Sequence, residues 1–297
     1  MLAKHDVSIC KFLFYWEVWR ILLDFLACFD IIICMKWYLN PPESFFIGSL
    51  EIRFYGVLVA LGMLLGLLIC CRLAKKRGFK SDDIWVLALF VLPLAILGAR
   101  IYYCVFYDHS YTFLEFWRIW DGGIAVYGAI IGGAIGVALY CLIFKKNFLA
   151  LADIVVVGVA LGQAIGRIGC YFGHCCYGAE VLNDNLKFFP LSIIHDGKWH
   201  LATFFYESVW DLINMAILLV VLNKSKINGT NLGVYMLWYG IGRGWIEGLR
   251  GDSLFIGSTG IRVSQLISLI IAVAGLAMII INLVKYLKER KTNGKEV

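Results

Sequence analysis

Long apolar segments follow one another along most of this chain. Seven runs between residues 53 and 286 are each close to the roughly 20 residues that a helix needs to cross a bilayer. They are 53–74, 84–107, 122–144, 151–171, 206–222, 232–249 and 262–286. Hydrocarbon offers no hydrogen-bond partner to the backbone, so such segments must be helical. The pattern therefore predicts an all-α polytopic membrane protein with seven transmembrane helices.

The segment before the first span has a different pattern. Cys10–Trp37 is rich in apolar and aromatic residues, but Glu17, Arg20 and Asp24 fall at i, i+3 and i+7 and share one helical face. This pattern favours an interfacial helix over a spanning one. A cleaved signal peptide is not expected, because the segment has no basic start followed by an uninterrupted apolar core. We therefore divide the chain into an N-terminal extension, 1–41, and a transmembrane domain, 42–297.

Composition and charge agree with a membrane location and set the orientation. Hydrophobic residues make up 61% of the chain and charged residues 16%, which exceeds the apolar fraction of a soluble domain. The net charge is +6, and the basic residues are distributed unevenly between the loops. One side holds fourteen of them: Arg72, Lys75, Lys76, Arg77, Lys80, Lys145, Lys146, Lys224, Lys226, Lys285, Lys288, Arg290, Lys291 and Lys295. The other holds five: Arg118, Lys187, Lys198, Arg250 and Arg262. The positive-inside rule places the first set and the C-terminus in the cytoplasm, and no nucleic-acid partner is indicated.

Two polar residues interrupt the fourth apolar segment. Gln163 and Arg167 lie near its far end, at a depth where an ionised side chain costs roughly 2.5–3.5 kcal/mol on insertion scales. Such a residue is usually retained because it faces a partner or a polar cavity. Arg167 is therefore a candidate functional residue.

Other unusual polar residues fall at a similar depth when they are counted from the span ends at 1.5 Å per residue. They come from six of the seven segments: Arg53, Tyr55, Arg100, Tyr127, Arg167, Tyr239, Arg243, Glu247, Arg250 and Gln265. Those from Tyr239 to Arg250 are spaced to share one helical face. Snorkelling to headgroups explains Arg53, Arg250 and Arg262 well, but not the deeper Arg100, Arg167 and Arg243. The sequence therefore predicts one pocket towards the outer leaflet.

Several guanidinium groups with a carboxylate suit a phosphate-bearing, otherwise apolar ligand. Arginine gives permanently charged, bidentate contacts to phosphate oxygens. A phospholipid that enters from the outer leaflet fits this description. The same arginines would stabilise the charge that develops on a departing phosphate ester.

Seven short motifs carry a resemblance to a known family. They are IRFYG (52–56), LGARIYYCVFY (97–107), WDGGIAVYGAIIGG (120–133), GRIGCYFGHCCYG (166–178), TFFYES (203–208), YGIGRGWIEGLR (239–250) and GIRVSQLISL (260–269). In their order and spacing the chain resembles the bacterial prolipoprotein diacylglyceryl transferase family from about Pro42 to the last span. The resemblance implies transfer of the diacylglyceryl group of phosphatidylglycerol to the lipobox cysteine thiol of a preprolipoprotein. This reaction releases glycerol 1-phosphate and is the first step of lipoprotein maturation.

The resemblance also implies roles for individual residues. Arg167, in the position of the family's GRxGN arginine, and Arg243 would hold the phosphate, and with Tyr127 they are the expected catalytic residues. The expected substrate-binding residues are Arg167, Tyr55, Arg100, Tyr239, Glu247, Arg250 and Gln265. Gly123, Gly128 and Gly178 match further family positions.

Three positions depart from the family pattern. Tyr127 stands where many members carry histidine, Cys170 where they carry asparagine, and Cys175 where they carry glutamate. An unperturbed tyrosine, with a pKa of about 10, is a poor base at neutral pH. These exchanges leave the identity of the proton acceptor open.

The cysteines near these positions raise the question of a metal. Cys170, His174, Cys175 and Cys176 have spacings that zinc ligands can have. No second cluster of ligands occurs elsewhere in the chain, so the sequence predicts no metal and no cofactor. Cys70, Cys71, Cys104 and Cys141 lie in spans or at their ends and are expected to pack as small apolar groups.

Two other classes of function stay open at this stage. A lipid or anion transporter would also carry intramembrane arginines, but its site should lie near the midplane between inverted repeats, and neither is evident. A non-catalytic paralogue that binds lipid or signal peptides is harder to exclude. For the transferase we expect phosphatidylglycerol, preprolipoprotein signal peptides and membrane lipids as partners. We also expect a monomer in the bacterial cell membrane, with its active site towards the outer leaflet and an external loop at 172–205 that shelters the site or guides the signal peptide.

Overall fold

The structure is a computed structural model that describes residues 41–106, 116–117, 123, 125–250 and 262–293. Within these residues the chain is mostly helical. The helices are α1 Phe54–Ala74, α2 Ser81–Phe106, α3 Val126–Ile143, α4 Phe148–Phe172, α5 Thr203–Lys224, α6 Thr230–Leu249 and α7 Val263–Asn293. Short 3-10 turns occupy Lys75–Arg77 and Asp184–Leu186. The predicted interfacial helix within Cys10–Trp37 lies outside the described residues.

Each of the seven predicted spans corresponds to one helix, and the helical class is confirmed. Five segments are long and apolar enough to cross a membrane: Phe54–Arg77, Ser81–Phe106, Phe148–Phe172, Thr203–Lys224 and Ser264–Lys291. The remaining two helices, α3 and α6, are not among these five segments, each for its own reason. The apolar part of α3, Tyr127–Ile143, is shorter, and α6 carries Arg243 and Glu247 within its length. The chain is thus a multi-pass membrane protein with five candidate spans in its described part.

Two β-hairpins accompany the helices, and the sequence did not predict them. Strands β1 Ser44–Ile47 and β2 Leu50–Arg53 pair antiparallel, as do β3 Ser192–His195 and β4 Lys198–Leu201. Arg53 therefore ends a strand, which corrects the prediction that the first span begins there. A hydropathy average over the roughly 20 residues of a span does not detect a strand of four residues. The sequence did contain a signal for the second hairpin, the dipeptide Asp196-Gly197, because Asp-Gly is typical of two-residue hairpin turns. Both residues have positive φ in the structure, as such a turn requires.

The described residues divide into two compact units. The first contains the described parts of 1–61, 163–216 and 241–269, and the second those of 62–162, 217–240 and 270–297. In the first unit, the end of α4 packs against the β3–β4 hairpin and the start of α5. Buried apolar side chains form this contact: Cys170, Tyr171, Phe172, Ile193 and Phe204. This packing positions the loop that follows α4.

The second unit contains close helix contacts and a buried ionic group. A Cβ atom at Gly98 in α2 would lie 2.5 Å from the carbonyl oxygen of Gly128 in α3, so these two helices approach at their backbones. Asp153 in α4 is fully buried and pairs with Arg77 at 3.3 Å. The same carboxylate accepts hydrogen bonds from the backbone N–H groups of Gly229 and Leu232, each at 2.9 Å. These partners compensate the cost of burying the charge and hold the start of α6.

Candidate functional site

Two arginines share one buried carboxylate in the first unit. Arg167, in the last two turns of α4, places its Nε atom 2.5 Å from Oε2 of Glu207 on α5. Arg243, on α6, places Nη1 2.8 Å from Oε1 of the same carboxylate. Nη2 of Arg243 also lies 2.9 Å from Oε2 of Glu247, one turn further along α6. The structure thus brings Arg167 and Arg243 together through Glu207.

The charges of this group balance within a low-dielectric setting. The Glu207 side chain is 7% exposed and those of Arg167 and Arg243 are 24% and 20% exposed. Two guanidinium groups face two carboxylates, which offsets much of the cost of placing charges at this depth. Asp211, one turn after Glu207, is buried and interacts electrostatically with both arginines. An incoming phosphate would therefore compete with carboxylate oxygens that already occupy the guanidinium donors.

Glu207 is the functional residue that the sequence did not single out. It lies within the TFFYES motif, which supported the family resemblance, but no role was assigned to it. Its signal was weak, because Glu207 lies only one residue inside the predicted 206–222 span and the depth argument applied to Arg167 does not hold at a span end. Arg243 and Glu247, which the sequence places on one helical face, form the ion pair that a spacing of i, i+4 favours.

Space remains beside both arginines. Gly166 precedes Arg167, and Gly244 follows Arg243. A Cβ atom on either glycine would meet no atom of the described residues within 4 Å. Gly242, on the other side of Arg243, is different, because a Cβ atom there would overlap the indole of Trp210. These glycines have separate functions, since Gly242 permits helix packing and the other two leave open space at the arginines.

Three more of the predicted site residues lie in the first unit. Gln265 donates a hydrogen bond to the carbonyl oxygen of Gly244 at 3.1 Å and so ties α7 to α6. Tyr55 is exposed at the start of α1, next to Gly169. Arg250 forms a backbone bridge with Gly178. Their roles in substrate binding stay predictions.

Arg100, Tyr127 and Tyr239 belong to the second unit. Arg100 is buried, and its guanidinium donates to the carbonyl oxygens of Phe116 at 2.9 Å and Gly123 at 3.0 Å. Tyr127 is exposed at the start of α3, and its ring lies 6.1 Å from that of Tyr102. The ring of Tyr239 stacks on that of Tyr235, with 5.9 Å between the ring centres. Arg100 thus organises the backbone between α2 and α3, and the substrate roles of all three residues stay predictions.

Three cysteine thiols meet at the C-terminal end of α4. The sulfur atoms of Cys170, Cys175 and Cys176 all lie within 4.8 Å of one another. Nη1 of Arg167 donates to the sulfur of Cys176 at 3.7 Å. Hydrogen bonds from the other two thiols, aided by Arg167, hold the pKa of the Cys176 thiol well below its usual range. His174 lies apart from this group, with Nε2 3.0 Å from the carbonyl oxygen of Pro41. The cysteines that replace the family's asparagine and glutamate therefore form one cluster beside Arg167.

The fold and this site together define a multi-pass membrane protein with a partly buried arginine pair suited to an anionic ligand. Residues 42–281 match the family model of prolipoprotein diacylglyceryl transferase, and the chain belongs to this family. The resemblance drawn from the seven motifs is thereby confirmed.

Curated relatives agree with this assignment. Phosphatidylglycerol–prolipoprotein diacylglyceryl transferase 1 of Clostridium perfringens is 38% identical over 257 residues, which cover 84% of this chain and 97% of that protein. The enzyme of the same name, without the number, from Streptococcus equi subsp. zooepidemicus is 39% identical over 244 residues, 80% of this chain and 93% of its own length. That of Ligilactobacillus salivarius is 37% identical over 250 residues, 80% of this chain and 91% of that protein.

Proposed function

We propose that this chain transfers the diacylglyceryl group of phosphatidylglycerol to the lipobox cysteine thiol of preprolipoproteins and releases glycerol 1-phosphate. Membership of the family makes the chain a diacylglyceryl transferase. The names of its relatives supply the lipid and the class of acceptor protein. The observation that carries the proposal for this chain is the arginine pair, Arg167 and Arg243, joined by Glu207.

The two arginines act on the phosphate. Before the lipid binds, Glu207 holds both guanidinium groups in place. Their arrangement is therefore set during folding and costs no reorganisation energy when the reaction occurs. The phosphate then takes over guanidinium donors from the carboxylate, because arginine offers planar, bidentate contacts to both kinds of anion. When the cysteine sulfur attacks the glyceryl carbon, negative charge grows on the leaving phosphate oxygen. The same guanidinium groups stabilise that charge.

The remaining site residues position the reactants. Tyr127 orients or activates the reacting thiol, an assignment that rests on its match to the family's histidine position. The substrate-binding set is Tyr55, Arg100, Tyr239, Glu247, Arg250 and Gln265. Signal peptides reach the site past the 172–205 loop, whose β3–β4 hairpin packs on the end of α4. The transferase domain spans 42–297 and follows the extension 1–41, a division supported by the start of the family match at residue 42.

The enzyme acts as a monomer in the bacterial cell membrane. Seven helices cross the bilayer, the site opens towards the outer leaflet and the C-terminus is cytoplasmic. The support for this orientation is the distribution of basic residues between the loops. Phosphatidylglycerol then enters from the outer leaflet, on the side where signal peptides emerge.

Mass spectrometry of a lipobox peptide tests the activity directly. The purified protein is incubated with phosphatidylglycerol and the peptide, and a second sample contains a peptide whose lipobox cysteine is replaced by serine. The transferase leaves a thioether-linked diacylglyceryl mass on the cysteine peptide alone. A protein that binds lipid and peptide without this product would be a non-catalytic paralogue or a transporter, and the proposal would be wrong.

A further inference from the structure

We propose that Cys170, Cys175 and Cys176 bind a zinc ion and that the lipobox cysteine of the substrate completes its coordination. This inference rests on the proposed transferase function. It supplies a way to deprotonate the lipobox thiol, for which the residues at positions 127, 170 and 175 leave no evident base. It reverses the sequence-based expectation of no metal, which no observation has tested. That expectation counted ligands along the chain, whereas the fold brings three sulfurs to one point.

The geometry of the three sulfurs is close to what zinc needs. They lie within 4.8 Å of one another, and tetrahedral zinc with Zn–S bonds of about 2.3 Å holds its sulfurs about 3.8 Å apart. Closing on a metal therefore needs shifts of roughly 1 Å or less per sulfur. Such shifts are available to side chains through small χ1 rotations.

The backbone after α4 is shaped to bring the sulfurs together. His174 and Cys176 both have positive φ, at 48° and 63°, which non-glycine residues adopt rarely. The N–H of Cys175 donates to the carbonyl oxygen of Cys170 at 3.0 Å, and Thr203 donates its hydroxyl to the carbonyl oxygen of Cys176 at 2.5 Å. Backbone strain of this kind persists where the surrounding contacts hold it, and it is common at functional sites.

The charge of the surroundings suits a metal trithiolate. Three thiolates with Zn²⁺ carry a net charge of −1, and a lone trithiolate without a metal would carry −3. Arg167 lies 3.7 Å from the sulfur of Cys176 and offsets one negative charge, and a second arises when hydroxide or the lipobox thiolate takes the fourth position. A guanidinium at this distance would repel a site whose net charge, metal included, is positive. It stabilises a zinc trithiolate, whose net charge is negative.

The number of protein ligands points to a catalytic role. Structural zinc sites are closed by four protein ligands, whereas catalytic sites use three and keep one position open. Among the described residues, no further cysteine, histidine or carboxylate joins the three sulfurs. The imidazole of His174 contacts the carbonyl oxygen of Pro41 instead. The fourth position is therefore available to solvent and then to the substrate thiol.

Zinc would perform the deprotonation for which this chain has no evident base. A thiol that coordinates zinc loses its proton and stays nucleophilic. The zinc-bound hydroxide takes the proton of the lipobox thiol and leaves as water, and the thiolate replaces it on the metal. Its sulfur then forms a bond to the glyceryl carbon as the carbon–oxygen bond to the phosphate breaks. The electron pair leaves on the phosphate oxygen of glycerol 1-phosphate, and zinc keeps its charge.

Metal content and cobalt spectroscopy test the site without reference to activity. The intact protein is purified in detergent, incubated with Zn²⁺ and dialysed, and its zinc is measured by plasma mass spectrometry. We expect about one zinc ion per chain, and its loss in Cys170→Ser, Cys175→Ser and Cys176→Ser. Co²⁺ in place of zinc should give thiolate-to-cobalt charge-transfer bands that the three variants lack. Cys71→Ser, at a half-buried thiol in α1, is the matched control and should keep both.

The outcomes separate this inference from the proposed function. Wild-type protein that retains no zinc and shows no cobalt–thiolate bands overturns the inference, as does a disulfide between two of the three cysteines. A zinc content that survives all three substitutions does the same. In the lipobox peptide assay, stripping the metal with a chelator should lower turnover about 10- to 100-fold, and Zn²⁺ should restore it. Equal turnover with and without metal would overturn the inference but leave the transferase function standing. Zinc binding without any thioether product would overturn the proposed function instead.

Discussion

The Nε atom of Arg167 lies 2.5 Å from Oε2 of Glu207, and this pair joins α4 to α5 inside the membrane domain. The other oxygen of the same carboxylate accepts from Arg243 on α6. One carboxylate thus sets the direction of both guanidinium groups. The phosphate of a lipid would use the remaining N–H donors of these two groups or displace Glu207 from the donors that it occupies.

Arg167→Lys should reduce transfer by about 100-fold or more, the usual effect of removing one preorganised donor. An ammonium is a point charge, and it cannot make the bidentate contact that the guanidinium makes to a phosphate. Turnover of the lipobox peptide measures the effect. Lys198→Arg, on the exposed β4 strand, is a control that should leave turnover unchanged. Near-normal turnover by Arg167→Lys would contradict the phosphate-binding role.

Glu207→Gln should destabilise the protein and alter its response to anions. The substitution keeps the size of the side chain but leaves two partly buried guanidinium groups without their shared charge, at a cost of up to about 3–5 kcal/mol. Glycerol 1-phosphate should then raise the melting temperature more in this variant than in the wild type, because phosphate replaces the missing carboxylate. Thermal unfolding in detergent measures both effects.

Glu180→Gln provides the comparison for Glu207→Gln. Glu180 pairs with Lys198 at 3.0 Å on the surface, where such pairs contribute little. Its removal should leave both the melting temperature and the anion response unchanged. Equal anion responses in Glu207→Gln and in the wild type would show that Glu207 does not compete with phosphate.

Gly242→Ala and Gly244→Ala flank Arg243 and should behave differently. A methyl group at Gly242 overlaps the indole of Trp210, which packs against Trp245 at 5.7 Å between ring centres. Overpacking of this kind costs about 1–3 kcal/mol. A methyl group at Gly244 meets no described atom within 4 Å, and alanine favours a helix over glycine by up to about 1 kcal/mol. Thermal unfolding should therefore show a loss only for Gly242→Ala; equal stability of the two variants would contradict the packing role.

Tyr127→Phe should lose most of the transfer activity while the protein still binds phosphatidylglycerol. The hydroxyl stands where many family members carry histidine, so a polar group at this position is expected to touch the reactants. Tyr127→His should keep a substantial part of the activity. A pH optimum shifted towards the histidine pKa of about 6.5 would make residue 127 the base, and an unchanged optimum would leave deprotonation of the thiol to another group. Turnover across a pH series, with lipid binding measured separately, distinguishes these outcomes. Unchanged turnover in Tyr127→Phe would limit the residue to packing.

The loop that contains Lys75 and Lys80 should face the cytoplasm. The basic residues of that side outnumber those of the other fourteen to five. Single cysteines placed at these two lysines in a chain whose native cysteines are replaced by serine should resist a membrane-impermeant thiol reagent until the membrane is opened. A cysteine at Lys187 should react in intact cells. The reverse pattern would overturn the proposed orientation of the site.

Much of the fold could be predicted because its signals are local. The seven apolar segments correspond to the seven helices within a few residues at each end, since burial in hydrocarbon depends on composition along a single helix. Arg167 and Arg243 were recognised for the same reason, because the cost of a charge in a span depends on its depth and not on its neighbours. The pairing of Arg243 with Glu247 followed from helical spacing alone.

Convergence between elements could be decided only by the tertiary structure. Glu207 joins Arg167 to Arg243 because of the way in which α4, α5 and α6 are rotated about their axes. The lengths of the apolar segments do not predict these rotations. The three thiols lie within seven consecutive residues, 170–176, yet their meeting depends on positive φ values at His174 and Cys176 that hydropathy does not reveal. The sequence by itself therefore determined where the helices run and that Arg167 and Arg243 interrupt apolar segments. The packing of the helices decided which of those charges share a partner, because that choice is made between side chains that are distant along the chain.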